Sequence, residues 1–350
     1  MELSIQPFTV HKRVPLTISR GTSTHSTNLW LRVQADGLEG WGEAAPFSIG
    51  TTHQTLDQLQ QDMAHLSALL SDHHPWNRQA IEAAIQPLGL QSASRAALDV
   101  ALWDWCGKAT QQPIWKLLGL DLSQIAPTSV TVGIMAPEAA RQRAQDWLQH
   151  TQARSIKIKL GQPAGIEADQ AMFQAIYDGV PDGIRLSVDA NGGWNLDQAI
   201  TMAQWLGERG ITHLEQPLPI HLDHQLPQLR QQSPVPIFVD ESCFNASDIP
   251  RLASLVDGIN LKLMKAGGLT EVLRMIHVAR ACGLQVMFGC YSDSRLANGA
   301  MAHLSPLADY LDLDSHLNLR DDPFTGLSLT EGCIRPSSNP GLGLNHVSHG

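Results

Sequence analysis

Ser155-Ile-Lys157-Ile-Lys159 is the first of five short apolar runs in this chain that each finish in a charged residue. The other four are Leu186-Ser-Val-Asp189, His213-Leu-Glu215, Ile237-Phe-Val-Asp240 and Ile259-Asn-Leu-Lys262. Intervals of 30, 26, 25 and 22 residues separate the successive charged ends, about the length of one strand plus one helix. Because the last side chain of a parallel strand lies at the mouth where α/β barrels build their active sites, the pattern predicts two amines and three carboxylates in one place.

Three of these strand ends carry acidic side chains, namely Asp189, Glu215 and Asp240. Acidic oxygens crowded into one place repel each other unless a hard cation lies among them, and Mg²⁺ prefers oxygen ligands. We therefore predict a Mg²⁺ site with these three ligands, in a centre for metal-assisted proton transfer.

Composition narrows the class of protein. The chain has 350 residues, long enough for a barrel of about 250 residues and a further domain. Its formal net charge of −10 argues against nucleic acid as a partner, and its five scattered cysteines indicate neither a disulfide framework nor a zinc site. No apolar run is long enough to span a membrane, and the first residues lack a signal-peptide pattern, so we expect a cytoplasmic enzyme. Assembly into a homo-oligomer stays open.

Alternation of strands and helices begins near residue 127. It runs from a strand at residues 129–134 and a helix at residues 137–150 to an eighth strand at residues 308–314. Eight alternations favour an α/β fold with a closed parallel barrel over residues 126–320, although an open, doubly wound sheet remains an alternative. Residues 321–350 are expected to pack back on the first domain.

Residues 1–125 show a different pattern, typical of a small α+β domain. Strands are expected at residues 10–17 and 27–33, separated by a polar, flexible segment around Gly21 that is a candidate substrate lid. Helices follow, one of them with Ser94 as its N-cap.

The ordered motifs resemble the muconate-lactonizing subgroup of the enolase superfamily. The motifs that carry the resemblance are Lys157-Ile-Lys159, Asp189-Ala-Asn191, Glu215-Gln-Pro217, Asp240-Glu241-Ser242, Asn260-Leu-Lys262-Leu-Met-Lys265-Ala-Gly267-Gly268 and, near the start, Gly40-Trp41-Gly42-Glu43. The resemblance implies an α+β capping domain over a modified (β/α)7β TIM-like barrel, one Mg²⁺, and abstraction of a proton next to a carboxylate.

The lysines divide the proton-transfer chemistry between them. A base must be uncharged when it acts, and crowding Lys157, Lys159 and a divalent cation favours a neutral amine. We expect Lys159 to be the base and Lys157 to stay charged and hold the enediolate. Lys262 ends the sixth strand, opposite the second, so Lys159 and Lys262 should face opposite sides of the substrate's α-carbon. Two opposed bases favour epimerisation, although relatives that eliminate or cycloisomerise keep both lysines.

The end of the chain's eighth strand suggests the substrate. Asp312 and Asp314 alternate with apolar residues and should share one face of the strand, where two carboxylates suit a substrate ammonium group. The pair resembles the aspartates with which dipeptide epimerases bind a free amino terminus, and the same resemblance implies that Thr131 contacts the substrate. Loop backbone or an arginine is an alternative partner for the two aspartates.

We therefore predict a Mg²⁺-dependent dipeptide epimerase acting at the C-terminal residue of an L,L-dipeptide. The alternatives are an N-acylamino-acid racemase, an o-succinylbenzoate synthase and a muconate cycloisomerase. Asn191 is expected to donate a hydrogen bond to the substrate or to a ligand. Arg20 in the lid is a candidate partner for an acidic substrate side chain, or a solvated loop arginine. The roles of Glu241 and Lys265 stay open, and so does the side-chain preference.

Overall fold

The computed structural model describes residues 1–347. Its N-terminal part begins with an antiparallel sheet of three strands in the order β1 (Glu2–Ile18), β2 (Gly21–Ala35) and β3 (Leu38–Ala44). Ile18 pairs with Gly21, so Ser19 and Arg20 form the turn between two long strands.

The predicted flexible segment after Gly21 is therefore wrong, because these residues belong to β2. Threonines explain the difference. Thr17 lies opposite Thr22 with their hydroxyl oxygens 2.8 Å apart, and Thr9 lies opposite Thr27 at 2.9 Å. Such β-branched cross-strand pairs stabilise a hairpin even where both faces are polar. The candidate lid is thus the tip of a paired hairpin.

Further elements complete this part of the chain, which we call the cap. They are β4 (Phe47–Ile49), β5 (Thr52–Gln54), α1 (Leu56–Leu69), α2 (Arg78–Ile85), α3 (Ser92–Ala109) and α4 (Ile114–Leu117). The predicted N-cap at Ser94 is wrong, because α3 begins at Ser92 and Ser94 is buried within its first turn. Strand β3 packs very closely on α3: a Cβ atom at Gly42 would lie 1.9 Å from the carbonyl oxygen of Ala97, so only glycine fits there.

Eight parallel strands then pair in strict chain order. They are β6 (Ser129–Val132), β7 (Ser155–Lys159), β8 (Arg185–Asp189), β9 (Leu214–Glu215), β10 (Ile237–Val239), β11 (Gly258–Lys262), β12 (Gln285–Gly289) and β13 (Tyr310–Leu311). A bridge between Thr128 and Leu311 joins the first strand to the last. This closure confirms the predicted barrel and excludes the open sheet.

Helices connect the barrel strands and cover their outside. They are α5 (Pro137–His150), α6 (Ile166–Gly179), α7 (Leu196–Gly207), α8 (Leu226–Gln232), α9 (Ile249–Leu252), α10 (Leu263–Ala266), α11 (Leu269–Ala281) and α12 (Arg295–Ala302). The predicted helix at residues 137–150 is confirmed at both ends. Within residues 1–347, no helix combines the length and the apolar character that crossing a membrane requires.

The eighth strand is shorter than predicted. In the expected strand at residues 308–314 only Tyr310 and Leu311 are paired, and the chain leaves the sheet after a last backbone hydrogen bond from Asp312 N–H to Phe288 O. Side chains replace the regular ladder there, since the backbone N–H of Leu313 donates to Thr128 Oγ1. The expectation that the strand extends through Asp312 and Asp314 is therefore wrong, although the side chains of both aspartates lie beside Thr131.

The last part of the described chain contacts both the barrel, where Thr128 N–H donates to Gly332 O, and the cap. Its short strands are β14 (Phe324–Thr325), β15 (Ser328–Thr330), β16 (Cys333–Arg335) and β17 (Asn345–His346). The backbone of Gly341 bridges Pro113, and the ring of His346 stacks on Trp41 with centroids 5.1 Å apart.

Candidate active site

The charged ends of strands β7 to β11 meet inside the barrel mouth. All six charged side chains of this set are buried: Lys157, Lys159, Asp189, Glu215, Asp240 and Lys262. The strands are parallel and paired in order, so their carboxyl ends lie at the same end of the barrel. The structure thus brings together the residues that the sequence singled out as bases and metal ligands.

Lys157 lies at the centre of the cluster. Its Nζ is 2.8 Å from Asp312 Oδ2, 2.7 Å from Glu215 Oε2 and 3.2 Å from Asp189 Oδ2. Burial opposes the charged form, but the three carboxylates outweigh it and raise the pKa of Lys157 well above its ordinary value. Lys157 is therefore an ammonium group that neutralises its acidic neighbours.

The two remaining lysines of the cluster each pair with one aspartate. Lys159 Nζ lies 2.5 Å from Asp189 Oδ2, and Lys262 Nζ lies 2.7 Å from Asp240 Oδ2. Their strands, β7 and β11, are four positions apart in a ring of eight and so lie across the barrel from each other. For Lys262, burial favours the neutral amine, but the attraction of Asp240 outweighs it and raises the pKa. Carboxylates, rather than neighbouring ammonium groups, dominate the electrostatics of this lysine.

The three acidic strand ends fit Mg²⁺ in donor type and lie on neighbouring strands. Asp189, Glu215 and Asp240 end the adjacent strands β8, β9 and β10 or directly follow them, and all three are fully buried. Glu215 Oε1 accepts a hydrogen bond of 2.8 Å from Asn260 Nδ2, whereas Glu215 Oε2 has no hydrogen-bond donor among the described residues. Its 2.7 Å contact with Lys157 is an ion pair without hydrogen-bond alignment.

The electrostatics of these carboxylates differ. Burial opposes ionisation of Asp189 and Asp240, but lysines outweigh burial and lower both pKa values. Burial and the nearby Asp189 raise the pKa of Glu215 to about 7. Within residues 1–347, no three acidic, histidine or cysteine side chains are arranged closely enough to enclose an ion as they stand. Lys157 Nζ lies between Asp189 and Glu215, two of the candidate ligands.

The tip of the first hairpin reaches into this mouth. Arg20 Nη1 donates to Glu241 Oε1 at 2.7 Å and to the carbonyl oxygen of Asn191 at 3.1 Å. Asn191 in turn donates from Nδ2 to Asp189 Oδ2 at 3.2 Å. Arg20 is therefore exposed to solvent in part but is paired within the protein, and its partner is Glu241.

Asp312 and Asp314 lie on the opposite side of the mouth, next to the first barrel strand. Asp312 accepts hydrogen bonds from Ser129 Oγ and Lys157 Nζ, both at 2.8 Å. Asp314 Oδ2 accepts from the backbone N–H of Thr131 at 2.6 Å, and Thr131 Oγ1 lies 3.3 Å from Asp312 Oδ1. Burial and Asp312 raise the pKa of Asp314 to about 7. Both aspartates thus have partners within the protein, including the backbone partner that the sequence analysis left open.

The sequence left the role of one residue of the site open and did not single out another. Lys265, in α10, is buried and donates to Asp240 Oδ1 at 2.6 Å, Cys243 O at 2.9 Å and Asn260 O at 3.1 Å. Its position within an apolar run is the signal for burial with a partner. Tyr291, two residues beyond β12, places its ring 4.5 Å from Lys262 Nζ. It gave no comparable signal, because it lies in a loop.

A cavity of about 700 Å³ lies between the hairpin tip and the loops that follow β7, β8 and β9. Its lining includes the apolar side chains of Pro163, Trp194 and Ile220, together with the Arg20–Glu241 pair. The cavity is large enough for a small ligand beside the lysine–carboxylate cluster.

Both parts of the chain match known protein families. Residues 1–119 match the mandelate racemase/muconate lactonizing enzyme N-terminal domain, and residues 135–347 match the enolase C-terminal domain-like family.

Individual relatives cover nearly the whole chain. A hydrophobic dipeptide epimerase from Flavobacteria bacterium is 41% identical over 98% of this chain and 97% of its own length. A hydrophobic dipeptide epimerase from Roseobacter litoralis is 43% identical over 99% and 100%, respectively. Among solved structures, a dipeptide epimerase from Cytophaga hutchinsonii, complexed with Mg and the dipeptide D-Ala-L-Val, has a TM-score of 0.93. It is 29% identical in sequence, with 99% of this chain and 96% of that chain covered.

Proposed function

This chain belongs to the mandelate racemase/muconate lactonizing enzyme family of the enolase superfamily, and from that premise we propose that it is a dipeptide epimerase. Family membership confirms the resemblance seen in the sequence motifs. The observation that carries the proposed activity is the pair of buried lysines, Lys159 and Lys262, on opposite sides of one mouth. The names of the two relatives above 40% identity support it.

Asp189, Glu215 and Asp240 would hold Mg²⁺ in this proposal. The relative that was solved with Mg and a dipeptide supports the choice of ion, and Glu215 Oε2, which accepts no hydrogen bond from the described residues, supports the position. When bound, the ion offsets negative charge at the substrate carboxylate and so makes the adjacent C–H bond more acidic.

The lysines move the proton. One of Lys159 and Lys262, as the neutral amine, accepts the α-proton of the C-terminal residue, and the electron pair of the broken C–H bond moves into the carboxylate to give an enediolate. The other lysine, as the ammonium, then donates a proton to the opposite face and inverts the configuration. The reverse reaction exchanges the two roles. Lys157, whose pKa is raised, stays charged and stabilises the added negative charge.

Asp312 and Asp314 would bind the free amino terminus of the dipeptide, and Thr131 orients both of them. A carboxylate offers about four lone-pair sites. The contacts of Asp312 with Ser129 and Lys157, and of Asp314 with Thr131, therefore leave acceptor capacity for a substrate ammonium group.

The cavity favours uncharged, apolar dipeptide side chains. Arg20 is already paired with Glu241, so an acidic side chain would find a carboxylate next to the one arginine or lysine among the described residues that line the cavity. Trp194, Pro163 and Ile220 offer apolar surface instead. The relatives named hydrophobic dipeptide epimerases support this substrate class, and an Ala-Glu preference is not proposed.

Hydrogen exchange tests the proposed activity. The protein is incubated in D₂O with Mg²⁺ and a library of L,L-dipeptides, and deuterium uptake is read by mass spectrometry. We expect one deuterium at the α-carbon of the C-terminal residue, most rapidly for apolar dipeptides. Exchange confined to N-acylated amino acids would instead favour a racemase of the same family, and the absence of exchange from both would reject the proposal.

A further inference from the structure

Tyr291 contacts the site from the loop that follows β12. Its ring centroid lies 4.5 Å from Lys262 Nζ, within the distance of a cation–π contact. The hydroxyl of Tyr291 is buried and has no hydrogen-bond partner among residues 1–347. Tyr291 therefore contacts Lys262 through its ring and not through its hydroxyl.

We propose that Tyr291 is a positioning residue for Lys262, holding the amine of this lysine at the face of the substrate that it serves. The inference rests on the proposed function insofar as Lys262 moves a proton. It adds a residue that acts on one of the two bases and not on the other, because Lys159 lies across the barrel.

Lys262 has one other close polar contact, and that contact is shared. Asp240 accepts from Lys262 at 2.7 Å and from Lys265 at 2.6 Å, and it is also a proposed Mg²⁺ ligand. A flexible four-carbon side chain held through one shared carboxylate keeps considerable rotational freedom. The face of Tyr291 removes part of that freedom.

The ring itself is held by the cap. It stacks on Phe47 of β4 with centroids 4.7 Å apart and an interplanar angle of 9°. A ring that stacks on Phe47 and also contacts the amine of Lys262 cannot rotate without losing these contacts.

All three long strands of the cap also anchor the loop that carries Tyr291. Lys12 of β1 donates to Ser292 Oγ at 2.7 Å, and Asn28 of β2 donates to the carbonyl oxygen of Ser292 at 3.1 Å. Glu43 of β3 accepts from the backbone N–H of Ser294 at 3.1 Å and from its hydroxyl at 2.5 Å. The cap therefore fixes the residues directly after Tyr291, and through them the position of the ring.

The first experiment measures α-deuteration in D₂O separately from an L,L-dipeptide and from its L,D-epimer. Lys262→Ala identifies the epimer whose proton Lys262 removes. Tyr291→Leu is expected to slow exchange from that same epimer by about tenfold to a hundredfold, the cost of a misplacement of about 1 Å, and to slow the other epimer much less. Tyr291→Phe, which keeps the ring, is expected to recover most of the loss.

Two outcomes of this experiment overturn the proposal. Equal slowing of both epimers by Tyr291→Leu means that the residue has a general structural role. A Tyr291→Phe variant as slow as Tyr291→Leu means that the hydroxyl, and not the ring, is responsible.

A second measurement needs no substrate, so it separates a failure of this inference from a failure of the proposed activity. Lysines are labelled with ¹³C at the ε-position, and the Lys262 resonance is identified by its absence in Lys262→Ala. Ring current should shift the ε-protons of Lys262 upfield in the wild type and in Tyr291→Phe, and the shift should vanish in Tyr291→Leu. An unchanged resonance in Tyr291→Leu shows that the ring does not cover the amine and rejects the proposal, whether or not dipeptides are turned over.

Discussion

Asp240 in the barrel mouth and Glu43 at the junction of cap and barrel are both fully buried carboxylates with different partners. Asp240 faces two ammonium groups, Lys262 and Lys265, which outweigh the effect of burial and lower its pKa. Glu43 accepts from amide and hydroxyl groups of Asn28, Ser294 and Ala297. Burial and Asp293 raise the pKa of Glu43 to about 8.

The comparison shows that burial alone does not determine the pKa of a carboxylate, because the charge of its partners decides the direction of the shift. A buried cluster of ammonium and carboxylate groups is costly in folding free energy, and such clusters occur where charge has a function. A carboxyl group surrounded by neutral donors forms no ion pair. Its hydrogen bonds instead hold together the elements that supply the donors. The charged cluster of the mouth is therefore consistent with the proposed proton transfer, whereas Glu43 at the junction joins the cap to a barrel loop.

The largest effect is expected where the two lysines of the mouth are removed one at a time. Lys159→Ala and Lys262→Ala should each lower epimerisation by about 10³-fold or more, since each removes one of two proton carriers. Each variant should keep hydrogen exchange from one epimer, and the two variants should keep opposite epimers. Chiral chromatography and mass spectrometry measure the two quantities. Near-normal epimerisation in either variant would contradict the two-base scheme.

Lys265→Met tests whether the ammonium groups around Asp240 stabilise the fold as well as serve the chemistry. Breaking a buried ion pair leaves a carboxylate with one partner fewer, so the free energy of unfolding should fall by about 3–5 kcal/mol. Urea unfolding measures it. Arg141→Met is the matched control, because Arg141 pairs with Glu138 on the exposed surface and should cost about 1 kcal/mol or less. Equal losses in both variants would remove the distinction.

Glu43→Gln tests the junction through its pH dependence. With a pKa of about 8 in the folded protein and about 4.3 in the unfolded chain, Glu43 keeps a proton on folding between these values. Its contribution to stability is therefore complete below pH ~4 and is lost as the pH rises towards 8. Glutamine does not titrate, so the variant should gain at least ~1 kcal/mol relative to the wild type between pH ~5.5 and ~7.5, since one pKa unit equals ~1.4 kcal/mol.

Urea unfolding at several pH values measures this gain. Glu39→Gln, on the same strand with a side chain that is 43% exposed, is the control and should show no such trend. A difference between Glu43→Gln and the wild type that stays constant across this pH range would mean that Glu43 is ionised throughout, and that the two regions treat their carboxylates alike.

The smallest effect is expected for the ion pair between Arg20 and Glu241. This pair is charged, like the cluster of the mouth, but one of its partners is partly exposed. Glu241 is buried, but the side chain of Arg20 is 37% exposed, so solvent screens the pair. A double-mutant cycle with Arg20→Gln and Glu241→Gln, followed by urea unfolding, should give a coupling energy of about 1 kcal/mol or less. A coupling of several kcal/mol would place the pair with the buried ion pairs of the mouth.

The sequence predicts the barrel and its charged centre because both depend on short-range patterns. Parallel strands end on one edge of a sheet, so the spacing of Asp189, Glu215 and Asp240 is enough to predict that their side chains meet. Counting strands also predicts that Lys159 on β7 and Lys262 on β11 lie across the barrel from each other, because these are the second and sixth of eight strands. The helix at residues 137–150 begins at Pro137, a residue that favours the first helical position.

Contacts between distant parts of the chain explain the rest. The hairpin around Gly21 has no apolar alternation, because its tip packs on the barrel mouth through Arg20 rather than on a core. Asp314 is oriented by the backbone of Thr131, 183 residues away, and not by a strand of its own. Tyr291 takes its position from Phe47 and the cap strands, and no local pattern around residue 291 encodes that.

The stacking of His346 on Trp41 has a consequence for synthesis of the protein. At ~5–20 residues per second, roughly 15 to 60 s pass between the addition of these two residues to the nascent chain. The first hairpin and the helices behind it emerge from the ribosome long before the segment at residues 341–346 that covers them. During this interval the aromatic face of Trp41 lacks its partner, and a chaperone that binds exposed aromatic surface would find its target there.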